Sequence, residues 1–179
     1  MTLAESGTTK VLPRRERARA AKGGVLAGLF AGLVFLIVML LMNLVTGQSV
    51  WVSVKFAALP FLGVEGVMEP RFEVGPVVLG IVSHFAVSAA WGLTFGLLFY
   101  DFGRMATVVA GAFWGLFAWL VMHYLVQQLI GGGRVAGMVP KQAAFLEHVL
   151  FGISIGLGFL PFQRVRPPGS VSGPTPATR

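Results

Sequence analysis

Three histidines and one glutamate are the residues of this chain whose placement points most directly to chemistry. His84, His123 and His148 each lie inside a long apolar stretch, and Glu147 is the only carboxylate within one. Ionisable groups at membrane depth are costly and mark functional sites. If the stretches are helices, His84 lies about eight residues inside the outer end of the second. His123 lies about seven before the outer end of the third, and His148 about seven into the fourth, so a rise of 1.5 Å per residue puts all three roughly 10 to 12 Å below one surface. His84 shares an i, i+4 line with Ser88, Gly92 and Gly96, and His148 shares one with Gly152 and Gly156. His123 shares a line with Gly111, Gly115, Trp119 and Gln127. If those small-residue lines face a bundle interior, so do the imidazoles.

Three chemistries suit this set. His84 and His148, opposed across an axis, fit axial ligation of a haem b, with His123 as a third ligand or hydrogen-bond partner. His84, His123 and His148 with Glu147 fit a divalent metal. Alternatively, each neutral imidazole hydrogen-bonds a neighbour and joins helices together.

The elements that must position these side chains follow from composition. The 179 residues are 55% hydrophobic and 12% charged, and mean hydropathy is +0.79. Soluble domains carry about 25% charged residues, so most soluble folds are excluded, and disorder over most of the length is excluded by the same figures. Without cysteine there are no disulfides, thiolate metal sites or thiol redox chemistry. No serine–histidine–carboxylate set at matched depth, phosphate loop or metalloprotease motif points to an enzyme.

Four apolar stretches, 23–45, 76–100, 105–130 and 142–162, are each long enough to cross a bilayer, which takes about 20 helical residues. Their spacing suits helices rather than barrel strands. The first is too long for a signal-peptide core and lacks a cleavage pattern, so it reads as a retained anchor. Pro76 opens the second at a first-turn position needing no amide donor. The reading is an all-α integral membrane four-helix bundle: a basic tail (1–22), a four-span domain (23–163) and a disordered tail (164–179). Ten of the 14 Lys and Arg fall in the two tails and at Arg104, which puts both termini in the cytoplasm. The basic tail reads as a topology signal attracted to anionic lipid, with no nucleic-acid partner. The outer loop 46–75 predicts a short interfacial helix around Trp51, Lys55, Phe56 and Phe61, broken by Pro60, then a solvated stretch with Glu65, Glu69 and Glu73. The second outer loop, Gly131–Arg134, reads as flexible.

The chain also carries an internal match. Ala27-Gly28-Leu29-Phe30-Ala31-Gly32-Leu33 resembles Ala110-Gly111-Ala112-Phe113-Trp114-Gly115-Leu116, and His84, Gly92 and Phe95 align with His148, Gly156 and Phe159. The chain therefore reads as two duplicated transmembrane hairpins related by an axis along the membrane normal. Gly24, Gly28 and Gly32 in the first span, Gly92 and Gly96 in the second, Gly111 and Gly115 in the third, and Gly152 and Gly156 in the fourth form small-residue steps. In lipid, close backbone approach at such steps is what packs helices.

The glycine-stepped first span, the loop "WVSVKFAAL", the span "SHFAVSAAWGLTFGLLFY" and the span "EHVLFGISIGLGF" together resemble small four-span bacterial inner-membrane proteins of the YagU-like, uncharacterised kind. The resemblance covers about Lys22 to Gln163. It implies an inner-membrane location and a two-plus-two topology, and it brings no activity. His84 and His148 match histidines of that pattern, and His123 is not carried over. Gly47-Gln48-Ser49 stands before Trp51 where relatives have an Asn-Pro-Trp-like start, which leaves no shared loop function to infer. The function expected is non-catalytic: an accessory or complex-forming subunit packing against a larger membrane assembly or against itself. The alternative is a haem- or metal-binding electron carrier, and a weaker one is a small transporter, for which Glu147 lies near the outer end rather than central to the bundle.

Overall fold

The computed structural model describes residues 13–130 and 141–164, and among these every regular element is helical. The Gly131–Arg134 loop, residues 1–12 of the basic tail and the tail from residue 165 lie outside the described residues. Among the described residues six helices follow in order: α1 Arg14–Thr46, α2 Val50–Lys55, α3 Leu59–Met68, α4 Val74–Leu98, α5 Arg104–Ile130 and α6 Lys141–Phe159. Five helical segments, Arg14–Thr46, Val50–Met68, Val74–Leu98, Arg104–Ile130 and Lys141–Phe162, are long and apolar enough to span a membrane.

The first helix starts nine residues earlier than the apolar stretch. Pro13 precedes it with φ −52°, a value pre-set for helix entry, and Arg, Glu, Ala and Lys, strong helix formers, carry the helix through the basic segment. Gly47, at φ 69°, ends it in the left-handed conformation, which glycine adopts without a Cβ penalty.

Helices pair through glycine. A Cβ on Gly28 would press on the Ser88 carbonyl and lie 3.0 Å from Gly92 Cα. A Cβ on Gly111 would press on the Gly152 carbonyl and lie 3.1 Å from Gly156 Cα. The α1–α4 and α5–α6 contacts thus use the residues that the internal match sets against one another. α1 also packs along α6, whereas α4 and α5 touch over a short stretch only. There Trp114 Nε1 donates to the Trp91 carbonyl at 3.2 Å, and the two indole rings meet edge-on at 5.5 Å.

The segment between α1 and α4 differs from the single interfacial helix anticipated. Pro60 does not break a helix; it sits in the first turn of α3, where its missing N–H costs nothing. The breaks fall at the 3-10 turn Phe56–Ala58 and at Gly63, whose φ of 66° and ψ of 175° are non-helical. The chain doubles back: Ser49 Oγ donates to the Pro70 carbonyl at 3.5 Å, and Trp51 meets Phe72 at 4.8 Å. Lys55, expected at an interface, is fully buried, and its Nζ donates to the Glu69 carbonyl. The folded segment leans on α4 at Gly80, where a Cβ would collide with the Val54 carbonyl. Glu65 and Glu73 are exposed.

At the opposite end the elements are tied by polar contacts. Arg164 lies 3.3 Å from Glu16 and 3.8 Å from Asp101, Arg19 donates to the Pro161 carbonyl, and Gln163 donates to both the Phe102 carbonyl and the Thr107 hydroxyl.

Candidate functional site

The three histidines open onto one chamber of about 240 Å³. α1 lines it through Phe35 and Asn43, α4 through His84 and Trp91, α5 through His123 and Gln127, and α6 through Glu147 and His148. The folded-back segment closes one end of it with Val52, Phe56 and Met68. Every long helix described contributes, and α4 and α5 contact each other only sparsely.

Each imidazole is fixed differently. His84 Nε2 donates to the Gly32 carbonyl on α1 at 2.9 Å, so α4 is tied across to its glycine-paired neighbour. His148 instead donates from Nδ1 to the Ala144 carbonyl of its own helix at 2.8 Å. The two thus sit in matching places of the two helix pairs but in different tautomers. Phe35 packs against both, 5.6 Å from the His84 ring and edge-on to His148 at 5.2 Å.

His123 owes its place to a feature the sequence did not announce. α5 widens into a π-helical turn over Val121–Val126, with the Gln127 amide reaching back to the Met122 carbonyl. Such turns shift the side-chain register and occur often at functional sites. His123 is 7% exposed and stacks on Trp119 at 5.7 Å with planes 11° apart.

The metal set anticipated from His84, His123, His148 and Glu147 is not assembled. All four line the chamber, but among the described residues no three His, Cys, Asp or Glu side chains are close enough to hold a metal ion. They are spread around a shared wall. Of the pair expected for a haem b, His84 has its Nε2 engaged with Gly32, and Phe35 packs against both rings. Glu147 is buried at 8% exposure and faces the same space.

Two further residues belong to the site. Asn43 is 9% exposed, lines the chamber, and its Nδ2 has no hydrogen-bond partner among the described residues. Gln127 Oε1 is likewise buried, unpartnered and on the chamber wall. Sequence reasoning named Gln127 only as a neighbour of His123 and passed over Asn43. Its signal was that it is the one polar residue in an otherwise apolar run from Leu33 to Val45.

No family model matches the chain, and no curated protein or solved structure matches it.

Proposed function

We propose that the chain is a multi-pass integral membrane protein of a bacterial inner membrane. It crosses the bilayer four times with both termini in the cytoplasm, and acts as a non-catalytic accessory subunit that packs against other membrane proteins or against itself. The observation that carries this reading is the outer surface. Large apolar side chains stand exposed along the long helices, among them Leu44, Val78, Phe113, Leu129 and Leu146. Charged residues gather at the two ends, around Arg164 at one and around Glu69 and Arg71 at the other. Exposed apolar surface on that scale requires lipid or a partner to cover it.

Four crossings, not five, are supported by the course of Val50–Met68. Its longest uninterrupted pieces are far shorter than the roughly 20 residues a span needs, and Ser49 and Trp51 at its start lie beside Pro70 and Phe72 at its end. Entry and exit are therefore on the same side. α1, with 33 residues, is about 50 Å long at 1.5 Å per residue and exceeds the hydrocarbon core. Its excess is the arginine-rich first turns, in keeping with a positive cytoplasmic end. The matched glycine contacts of the two pairs support descent from one duplicated hairpin. The accessory role rests on an imbalance: a strict twofold would pack α4 on α5 as closely as α1 packs on α6. The side left open carries exposed Val87, Phe117 and Leu120.

Single-cysteine labelling from each side of the membrane, at positions 18, 65 and 103, tests the topology. Labelling of 18 and 103 from the cytoplasm and of 65 from outside supports it, and labelling of 65 from the cytoplasm refutes it. Native gels of membranes solubilised in mild detergent test the role. Migration as a lone 19.1 kDa chain would sink the accessory reading.

A further inference from the structure

The chamber has the makings of a binding site, and its rim at Val87 lies on the open α4–α5 side. Its wall is mostly apolar, with a few polar groups converging from separate helices, which is the usual composition of a small-molecule site. Two of those groups are unsatisfied: Asn43 Nδ2, a donor on a side chain more than nine-tenths buried, and Gln127 Oε1, an acceptor. A buried polar group without a partner is costly, and native proteins leave few of them. Here a donor and an acceptor from different helices line the same chamber. The π-turn over Val121–Val126, which carries His123, lies on the same wall.

We propose that the chamber binds a membrane-dissolved amphipath, an apolar molecule whose uncharged, oxygen-bearing head both accepts and donates hydrogen bonds. Asn43 Nδ2 donates to a carbonyl or hydroxyl oxygen of the head, and Gln127 Oε1 accepts from a hydroxyl. At about 240 Å³ the chamber takes a head group and not a whole lipid, since drug-sized pockets start at about 300 Å³. The apolar remainder leaves between α4 and α5, where the helices stand apart above Trp91 and the exposed Ile81 and Val87 offer an apolar rim. Met39, Met68 and Met122 on the wall can repack around heads of different outline. Two sources share this chemistry, a quinol ring and a neutral acyl glyceride. The inference rests on the membrane reading only for the ligand's route of entry, and topology mapping and binding fail independently.

The test uses the full chain in phosphatidylcholine nanodiscs and reads tryptophan emission, because Trp91 lines the chamber. Decylubiquinol, kept reduced, and monoolein are titrated separately. A saturable change with one probe per chain supports the proposal, and the probe that gives it identifies the source. No saturable change with either overturns it. Asn43→Leu and Gln127→Leu should each weaken binding about tenfold, the effect of one lost hydrogen bond, while Gln128→Leu on the exposed side leaves it unchanged. Equal affinity in both leucine variants and the parent also overturns it. Should either leucine variant fail to fold, Ser53→Phe fills the chamber from the closing segment and must abolish the saturable change; full binding by Ser53→Phe refutes the site.

Discussion

A single methyl group can test the backbone-to-backbone contact of the helix pairs. A Cβ on Gly28 would lie 3.0 Å from Gly92 Cα and 3.1 Å from Gly92 N, and one on Gly111 would lie 3.1 Å from Gly156 Cα and 3.2 Å from Gly156 N. Each would also press on a carbonyl, that of Ser88 or of Gly152. These neighbours are backbone atoms of another helix and cannot rotate away, so the helices must separate. Overpacking of this sort costs about 1–3 kcal/mol, and with nothing soft to yield, the upper half of that range applies. The better helix propensity of alanine returns up to about 1 kcal/mol. Gly28→Ala and Gly111→Ala should therefore each lose a net ~1–2 kcal/mol. That corresponds to a fall in Tm of about 2–8 °C for a chain of this size. Gly75 gives the contrast. It lies in the first turn of α4 with nothing within 4 Å of a Cβ, so Gly75→Ala keeps only the propensity gain and should be neutral or slightly stabilising. Thermal unfolding of the purified protein in one detergent measures all three. Similar losses at 28 and 111 with none at 75 would also be the mark of two equivalent pairs. If Gly28→Ala and Gly111→Ala behave like Gly75→Ala, the helices do not meet as described.

Four other outcomes are expected. Trp114→Phe removes the Nε1 donor to the Trp91 carbonyl and should cost about 0.5–1.5 kcal/mol, read as a lower Tm; an unchanged Tm would mean that this bond does not brace α4 against α5. Lys55→Met keeps the side chain's stem but loses the tether to the Glu69 carbonyl, so hydrogen exchange should quicken over residues 50–68 and not over α1; unaltered exchange would rule the tether out. Glu69 is held below the ordinary carboxylate value of 4.5, first by the hydrogen bond from Arg71. A pKa depressed by folding contributes stability that is present above 4.5 and is lost as the pH falls below it. The pair is exposed, so its contribution should be small and fade in salt. Arg71→Gln should return Glu69 toward 4.5 in a carboxylate NMR titration, and no upward movement would exclude Arg71 as the cause. Finally, with Phe35 against both His84 and His148, the purified protein should show no Soret band; a Soret band would mean that the phenyl ring swings away to admit haem.

The helical class and the apolar segments could be read directly from the letters, because bilayer-length runs with few charges leave backbone amides no partners except those within a helix. The fate of Val50–Met68 could not. By composition it passes as a fifth span, and by its aromatic and basic residues it passes as an interfacial helix. What decides is tertiary: Lys55 reaches Glu69, 14 residues on, and Gly80 lets the Val54 carbonyl approach α4. Pro60 misled because proline breaks a helix interior but is welcome in a first turn, and only the 3-10 turn before it shows which applies. The early start of α1 was hidden because charge was read as a boundary, whereas arginine and glutamate are good helix formers.

That His84 and His148 face one chamber was open to the same reasoning, since periodicity is fixed by backbone geometry. Their detailed roles were not. His84 and His148 occupy matching positions in the aligned sequence segments, yet one binds across to Gly32 and the other binds back to Ala144. A sequence match constrains where a ring sits; the neighbouring carbonyls determine which nitrogen carries the proton. The π-turn at Val121–Val126 is harder still, because one added residue per turn does not disturb an apolar pattern that is apolar on every side. That turn nonetheless decides the site. Without it, the residues beyond Trp119 would keep the regular register, in which successive turns advance by 3.6 residues. The widened turn changes where both His123 and Gln127 fall on the wall they share with Asn43. The chemistry of the chamber therefore depends on a local departure from the helical regularity that made the chain readable, and the unsatisfied amides of Asn43 and Gln127 are where that departure has a consequence to measure.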